Sequence, residues 1–449
     1  MTPTPAIGLR AFLLLTLAGV PACVQDPTAE NRMPGLEAAK GGPGVSVQSA
    51  DPAFGHRGDV HLKVAIAGSG FTQGANAKWE RNGVPDPKIA VFSTEFVSAT
   101  KLIATVDIAL DADLALYDLA VTLVGGKKGI GTEKFEVTTA TLLAELNGQG
   151  GVAKDINDAD EIVGHTNNRA VRWDLLGGLE DLGAGQANAI DAAGTTIVGS
   201  TSLDLGASQA SLWTGGPGSR SRTLLPTSCA TGTVPTSMAS AVSANGRFAG
   251  GWLRVSTGPR KGNSQLRAVR WDLSLGGCTL LPIPPGGFPG PTVKDVNDLG
   301  MATGHGVFWD ADLSGTQLPP WPGQTFSHSF GISEDGSVVV GRTGFRAVYW
   351  RRNAGVLSQP IELPSGACSQ GKEGTAADIN DAGLIVGTGC DGAAHFWQLT
   401  NGVLSGSGKL PGLGPQGAGI AEAVRNGAAP GQRSIVGAAQ GHPVYWPQP

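Results

Sequence analysis

Apolar positions along this chain follow two regimes. Between residues 45 and 138 they alternate with polar ones in strand-length runs. Val60, Leu62, Val64 and Ile66 are followed by KLIATVDIAL, YDLAVTLVGG and TEKFEVTTA, each bounded by turn residues. A period of two predicts half-buried β-strands, and about five to seven of them in roughly 95 residues fit a small sandwich. From residue 139 the pattern changes to a repeat of about 45 residues. An apolar residue opens a turn rich in Asn, Asp, Ser and Gly; a β-branched stretch then ends in Gly, and a small residue leads to Trp. The openings are Ile156, Ile190, Val242, Val296, Ile332, Ile379 and Val424, and the tryptophans are Trp173, Trp213, Trp271, Trp309, Trp350, Trp397 and Trp446. The first unit, AKDINDADEIVGHTNNRAVRWDLLGGLEDLGAGQ, predicts four short strands: around Ile156, then EIVGHT, AVRWD and LEDLG. A sequential four-stranded meander of this size is one propeller blade. The fourth, Leu-rich piece occurs once before the first opening and does not occur after Trp446. Pairing residues near 139–147 with the final unit would therefore close a ring and remove exposed edges.

Composition narrows the class. Gly is abundant at 69 residues, charged residues make up 15% and hydrophobic ones 41%. The charged fraction lies well below the roughly 25% of an average soluble protein, and this glycine content with many β-branched residues points to all-β structure with tight turns. Net charge is −5 with no Lys/Arg stripe, so nucleic acid is set aside as a partner. Near the start, Arg10 precedes the apolar run AFLLLTLAGV, which ends in Pro21-Ala22-Cys23. The run is too short to span a bilayer and has the length of a signal-peptide core. Residues 24–44 are polar and aperiodic, as in a flexible tether.

Three resemblances refine this reading. Val20-Pro21-Ala22-Cys23 resembles a bacterial lipobox, which implies lipidation of Cys23 and membrane contact through that anchor; plain cleavage after Ala22 is the alternative. Asp51-Pro52, Gly55, Gly58, Gly68-Ser69-Gly70-Phe71, Gly74-Ala75, Phe96-Val97-Ser98-Ala99-Thr100 and Tyr117-Asp118-Leu119 resemble the immunoglobulin-like IPT/TIG domains, which implies a spacer or interaction module. Ile156-Asn157, Ile162-Val163-Gly164, Ala170 and Trp173, with their later counterparts, resemble the HAF family of bacterial extracellular repeat proteins, which implies export and repetitive β structure. The expected fold is all-β: a seven-bladed β-propeller over 139–449, preceded by a small Ig-like β-sandwich over 45–138. A signal peptide (1–22) and a tether (23–44) come before it.

Candidate chemistry is sparse. The seven repeat tryptophans read as packing between adjacent units rather than a sugar-stacking ring, since each has a small residue three positions before it. Trp79, Trp252 and Trp321 fall outside the pattern and are the candidates for exposed contacts. The turns DINDAD, DVNDLG, ISEDG and DINDAG fail the EF-hand spacing and read as turn chemistry. The position after each strand-ending Gly varies: His165, Ser200, Gly251, His305, Arg342, Thr388 and Ala438. These form a candidate channel ring, in which His165 and His305 lack the company of a zinc-type cluster. Neither a Gly-x-Ser-x-Gly elbow nor a unique carboxylate pair stands out, and no cofactor or metal is implied. Cys229, Cys278, Cys368 and Cys390 allow three pairings. Cys229–Cys278 and Cys368–Cys390 are favoured, with free buried thiols as the alternative. The expected function is non-catalytic binding or scaffolding at the bacterial envelope or surface, with an envelope protein or glycan as partner. Residues 201–223, 252–266 and 352–358 are expected as long loops touching it. The alternatives are a glycan hydrolase or lyase using one propeller face, and a passive spacer.

Overall fold

The computed structural model describes residues 44–203, 207–230, 233–256, 264–414, 419–425 and 434–447. The expected signal peptide, Cys23 and nearly all of the tether lie outside the described residues, as do parts of the expected contact loops at 204–206 and 257–263. The strands form eight separate sheets, and no α-helix occurs among the described residues.

Two sheets come from residues 46–138. One orders Ser46–Asp51, Leu62–Ser69, Lys101–Ile108 and Ile89–Ser98. The other orders Phe54–His56, Lys128–Thr138, Ala115–Thr122, Asn76–Arg81 and Val84–Pro85, with the first pair parallel. The alternating residues Val64, Ile66, Leu102 and Val106 pack with Trp79, Tyr117 and Phe135 in one apolar cluster. Val60 falls outside the strand and is 67% exposed, so the alternation begins one step later than the sequence suggests. Trp79 is not an exposed contact: it is buried, edge-on to Phe135 at 5.4 Å between ring centroids. This part is tied to the repeats by Glu136, whose carboxylate accepts N–H bonds from Gly412 (3.0 Å) and Gly414 (2.8 Å).

The repeat region corrects the expectation of a seven-bladed propeller. Among the described residues it builds six sheets rather than seven, and no sheet closes on itself into a propeller or barrel. The first two units are fused into a single seven-stranded sheet by the strand Leu179–Ile190. Its first half pairs with Arg169–Asp174 and its second half with Thr196–Ser202. At this junction no proline interrupts the strand. Five of the other six Leu-rich pieces run into Pro226, Pro282, Pro319, Pro364 or Pro411, and the piece ahead of the first unit, 142–146, has none. Proline has no N–H to give a ladder and so interrupts pairing. In the first unit Leu182 is followed by Gly183, and the strand runs on. The segment ahead of the first unit does pair with the last: Thr141 lies opposite Tyr445 and Leu142 opposite Val444. Of the expected contact loops, the described residues 252–256 and 264–266 lie in the paired strands Phe248–Ser256 and Ser264–Asp272, and Arg346–Asn353 pairs with Val356–Leu357.

Consecutive units are joined in the same way each time. Every repeat tryptophan is buried, and its indole N–H donates to a carbonyl in the Leu-rich piece before it. Trp173 reaches Ala144 (2.6 Å), Trp213 Leu182 (3.1 Å), Trp271 Pro226 (2.8 Å), Trp309 Pro282 (2.8 Å), Trp350 Pro319 (2.9 Å), Trp397 Pro364 (2.6 Å) and Trp446 Pro411 (2.7 Å). The indole thus fills the space between neighbours and also satisfies a carbonyl of that piece, a proline's in five of the seven cases. Cys229 is bonded to Cys278 and Cys368 to Cys390, with Cα–Cα separations of 5.5 and 5.0 Å.

Candidate functional site

All seven openings, Ile156, Ile190, Val242, Val296, Ile332, Ile379 and Val424, line one cavity of about 80 Å³. Units spread over nearly three hundred residues of sequence therefore present the same position to a common centre. A second, larger chamber of about 380 Å³ shares Asp155, Val242, Asp295 and Asp378 with the first.

The three aspartates form the wall between the chambers, and each stitches two units together. Asp155 accepts the N–H of Ile156 (2.8 Å) on one oxygen and that of Ile190, in the next unit, on the other (2.8 Å). Asp295 does the same with Val296 and Ile332, both at 2.8 Å. Asp378 does so with Ile379 (2.8 Å) and Val424 (2.9 Å). The Asn two residues on adds a parallel strut: Asn157 donates to Asp191 O, Asn297 to Ser333 O and Asn380 to Arg425 O. The D-[I/V]-N turns are thus inter-unit clamps as well as turns. Burial pushes the Asp155 carboxyl up to about 7, opposed by its two backbone N–H bonds and helped by the Asp295 charge. Burial also raises Asp295 and Asp378, and each is pushed further by a neighbouring carboxylate. Glu334, on the smaller cavity, is likewise raised to about 7 by burial.

The larger chamber is lined by a set of residues that sequence reasoning missed. The first strand of six units carries a register shift at the same place, bracketing Lys154, Asn188, Ser240, Phe330, Ala377 and Glu422. A bulge re-aims the residue it displaces. All six line the chamber, together with Lys294 of the fourth unit. The signal was available: each residue stands two positions before its opening, and the series Lys, Asn, Ser, Lys, Phe, Ala, Glu varies within strict surroundings. Lys154 is paired with Glu422 at 2.8 Å. Lys294 makes no side-chain hydrogen bond or ion pair among the described residues, and burial followed by the Lys154 charge lowers its pKa.

The ring expected from the sequence lies elsewhere. His165, Ser200, Arg342, Thr388 and Ala438 stand on the second strands, opposite Val152, Gln186, His328, Thr375 and Ile420. None of these five, nor Gly251 nor His305, lines either chamber. In the third unit, Gly251 sits opposite Ala239 and Trp252 opposite Met238, so Trp252 is the register counterpart of His165 and Ser200. The adjacent glycines 250 and 251 hide this one-residue offset in the sequence. His305 stacks on Phe288 (5.4 Å) and lies edge-on to His328 (5.8 Å), while Arg342 pairs with Glu373. Burial, then Lys294, lowers His305 to about 4. Trp321 is half-buried beneath the Arg346 guanidinium at 5.2 Å. Among the described residues, no group of three or more His, Cys, Asp or Glu is arranged to hold a metal ion.

No family model matches the chain, and no curated protein matches it. The resemblances to HAF repeats and IPT/TIG domains therefore stand on their motifs alone. Among solved structures the chain is similar to the crystal structure of RRP9 WD40 repeats, with 11% identity and a TM-score of 0.43 over 69% of this chain and 97% of that one. This is a distant, low-identity likeness to a WD40-repeat protein.

Proposed function

We propose that this protein is a non-catalytic binding or scaffolding component of the bacterial cell envelope or surface. One observation carries the reading: the carboxylates at the centre of the repeats are committed to structure. A general acid or base must exchange its proton with a substrate. Asp155, Asp295 and Asp378 instead have both oxygens occupied by backbone N–H groups of two successive units. They hold the wall of a chamber whose lining varies from unit to unit, as suits recognition by a rigid frame. The bonded cysteine pairs suit an oxidising compartment. The test is a surface-glycan array and envelope extracts probed with the purified protein, with product analysis on the same glycans. Retention without turnover is the expected result. Turnover would establish an enzyme, and silence on every glycan and extract would establish a passive spacer.

A further inference from the structure

We propose that the larger chamber is a binding site for a small ligand carrying a single carboxylate on a ring or apolar body, with the Lys294 ammonium as its anchor. The inference rests on the binding reading above and names the ligand chemistry of that frame.

Three observations lead to it. The chamber's volume of about 380 Å³ lies within the usual range for small-molecule sites. Its lining is built by a repeated backbone device, the first-strand bulge, which turns one side chain per unit toward the same space. Of the two lysines on that lining, Lys154 is ion-paired with Glu422, while the Lys294 side chain feels the same carboxylate at a distance but makes no hydrogen bond or ion pair among the described residues. A desolvated ammonium without a counter-ion is costly, and a ligand anion removes that cost. Asp155, Asp295 and Asp378 also border the chamber, but each commits both oxygens to backbone N–H groups and is held toward its neutral form by burial, and Lys154 is committed to Glu422. Lys294 is then the cation of the lining outside an ion pair, and a monocarboxylate matches that one charge. Phe330 supplies a face for a ring or alkyl body, and the Gln186 side-chain amide, which has no hydrogen-bond partner among the described residues, supplies donors and an acceptor.

Calorimetric titration of the full chain decides the matter. D-glucuronate and benzoate represent sugar-acid and aromatic sources of the carboxylate, and D-glucose and inorganic phosphate are the controls. At least one carboxylate is expected to bind saturably at concentrations up to about 10 mM, and neither control is. Lys294→Met, which removes a half-buried cation and keeps the stem, should fold and bind about 10- to 100-fold more weakly. Gln186→Leu gives a second, milder loss and serves if the lysine variant does not fold. Absence of binding by both carboxylates, phosphate binding as tight as theirs, or undiminished binding by Lys294→Met would overturn the proposal. Loss of this site with envelope retention intact leaves the scaffold reading standing. Turnover of glycans overturns the scaffold reading whatever Lys294 does.

Discussion

At the scale of single residues, two side-chain types hold the repeats together by different means. The tryptophans combine a large apolar surface with one directed donor. Trp397→Phe keeps much of the ring but leaves the Pro364 carbonyl without its indole partner, and it opens a small void. The expected loss is about 2–4 kcal/mol in urea unfolding. A loss below 0.5 kcal/mol, roughly the noise of a surface substitution, would show that the carbonyl is satisfied otherwise. The aspartates add a pH dependence. Asp155 in the folded protein keeps its proton until about pH 7, whereas in the unfolded chain it releases it near 3.9. Between those values the native state binds more protons, so this group's contribution to stability falls as pH rises through the window. Unfolding measured at pH 5 and pH 8 should show that decline. Asp155→Asn should make it shallower while lowering stability at both values, because an amide nitrogen would face a backbone N–H. An unchanged slope in the variant would place the titration on other groups.

At the scale of elements, the second strand of each unit presses a glycine against a carbonyl of the first. A Cβ on Gly164, Gly199, Gly251, Gly304, Gly341, Gly387 or Gly437 would come within 1.9–2.1 Å of that oxygen. Gly387→Ala, with the Thr375 carbonyl 2.0 Å away, must push the first strand aside and with it the bulge residue Ala377. We expect a loss of more than about 3 kcal/mol or failure to accumulate as soluble protein. A stable variant would mean that the strand pair can separate without cost. The same element shows what was legible beforehand. The Gly and Trp positions could be read because each is dictated by local contacts that recur in every unit. The lining of the chamber is marked only by a variable position two residues before each opening, and its facing is hidden because a bulge breaks the period-two rule by which facing is inferred. Lys154 and Lys294 therefore looked like ordinary turn-flanking residues. The positions one residue after each glycine fall on the second strands, and at Gly250-Gly251 the register counterpart of His165 and Ser200 is Trp252.

At the scale of the whole molecule, the count of units was legible and the count of sheets was not. Seven tryptophans mark seven units, yet the strand Leu179–Ile190, which meets no proline, carries pairing from the first unit into the second and makes one sheet of two. The two ends of the repeat region meet through a short contact: Thr141 and Leu142 pair with Tyr445 and Val444, and the Leu143 N–H donates to Pro443 O at 3.0 Å. Leu143 also packs with Ala423 and Val436 of the last unit and with Ile156 and Trp173 of the first. Leu143→Pro removes that donor and most of that side chain while leaving Leu142 in the extended conformation proline favours before it. If the end contact secures the last unit, amide exchange in Ser434–Ala439 and His442–Pro447 should accelerate well before any change in Lys101–Ile108, and thermal unfolding should broaden. Uniform acceleration across all described strands would mean instead that they unfold as one cooperative body. Unchanged exchange in the last unit would mean that the tryptophan and aspartate clamps hold it without the added strand.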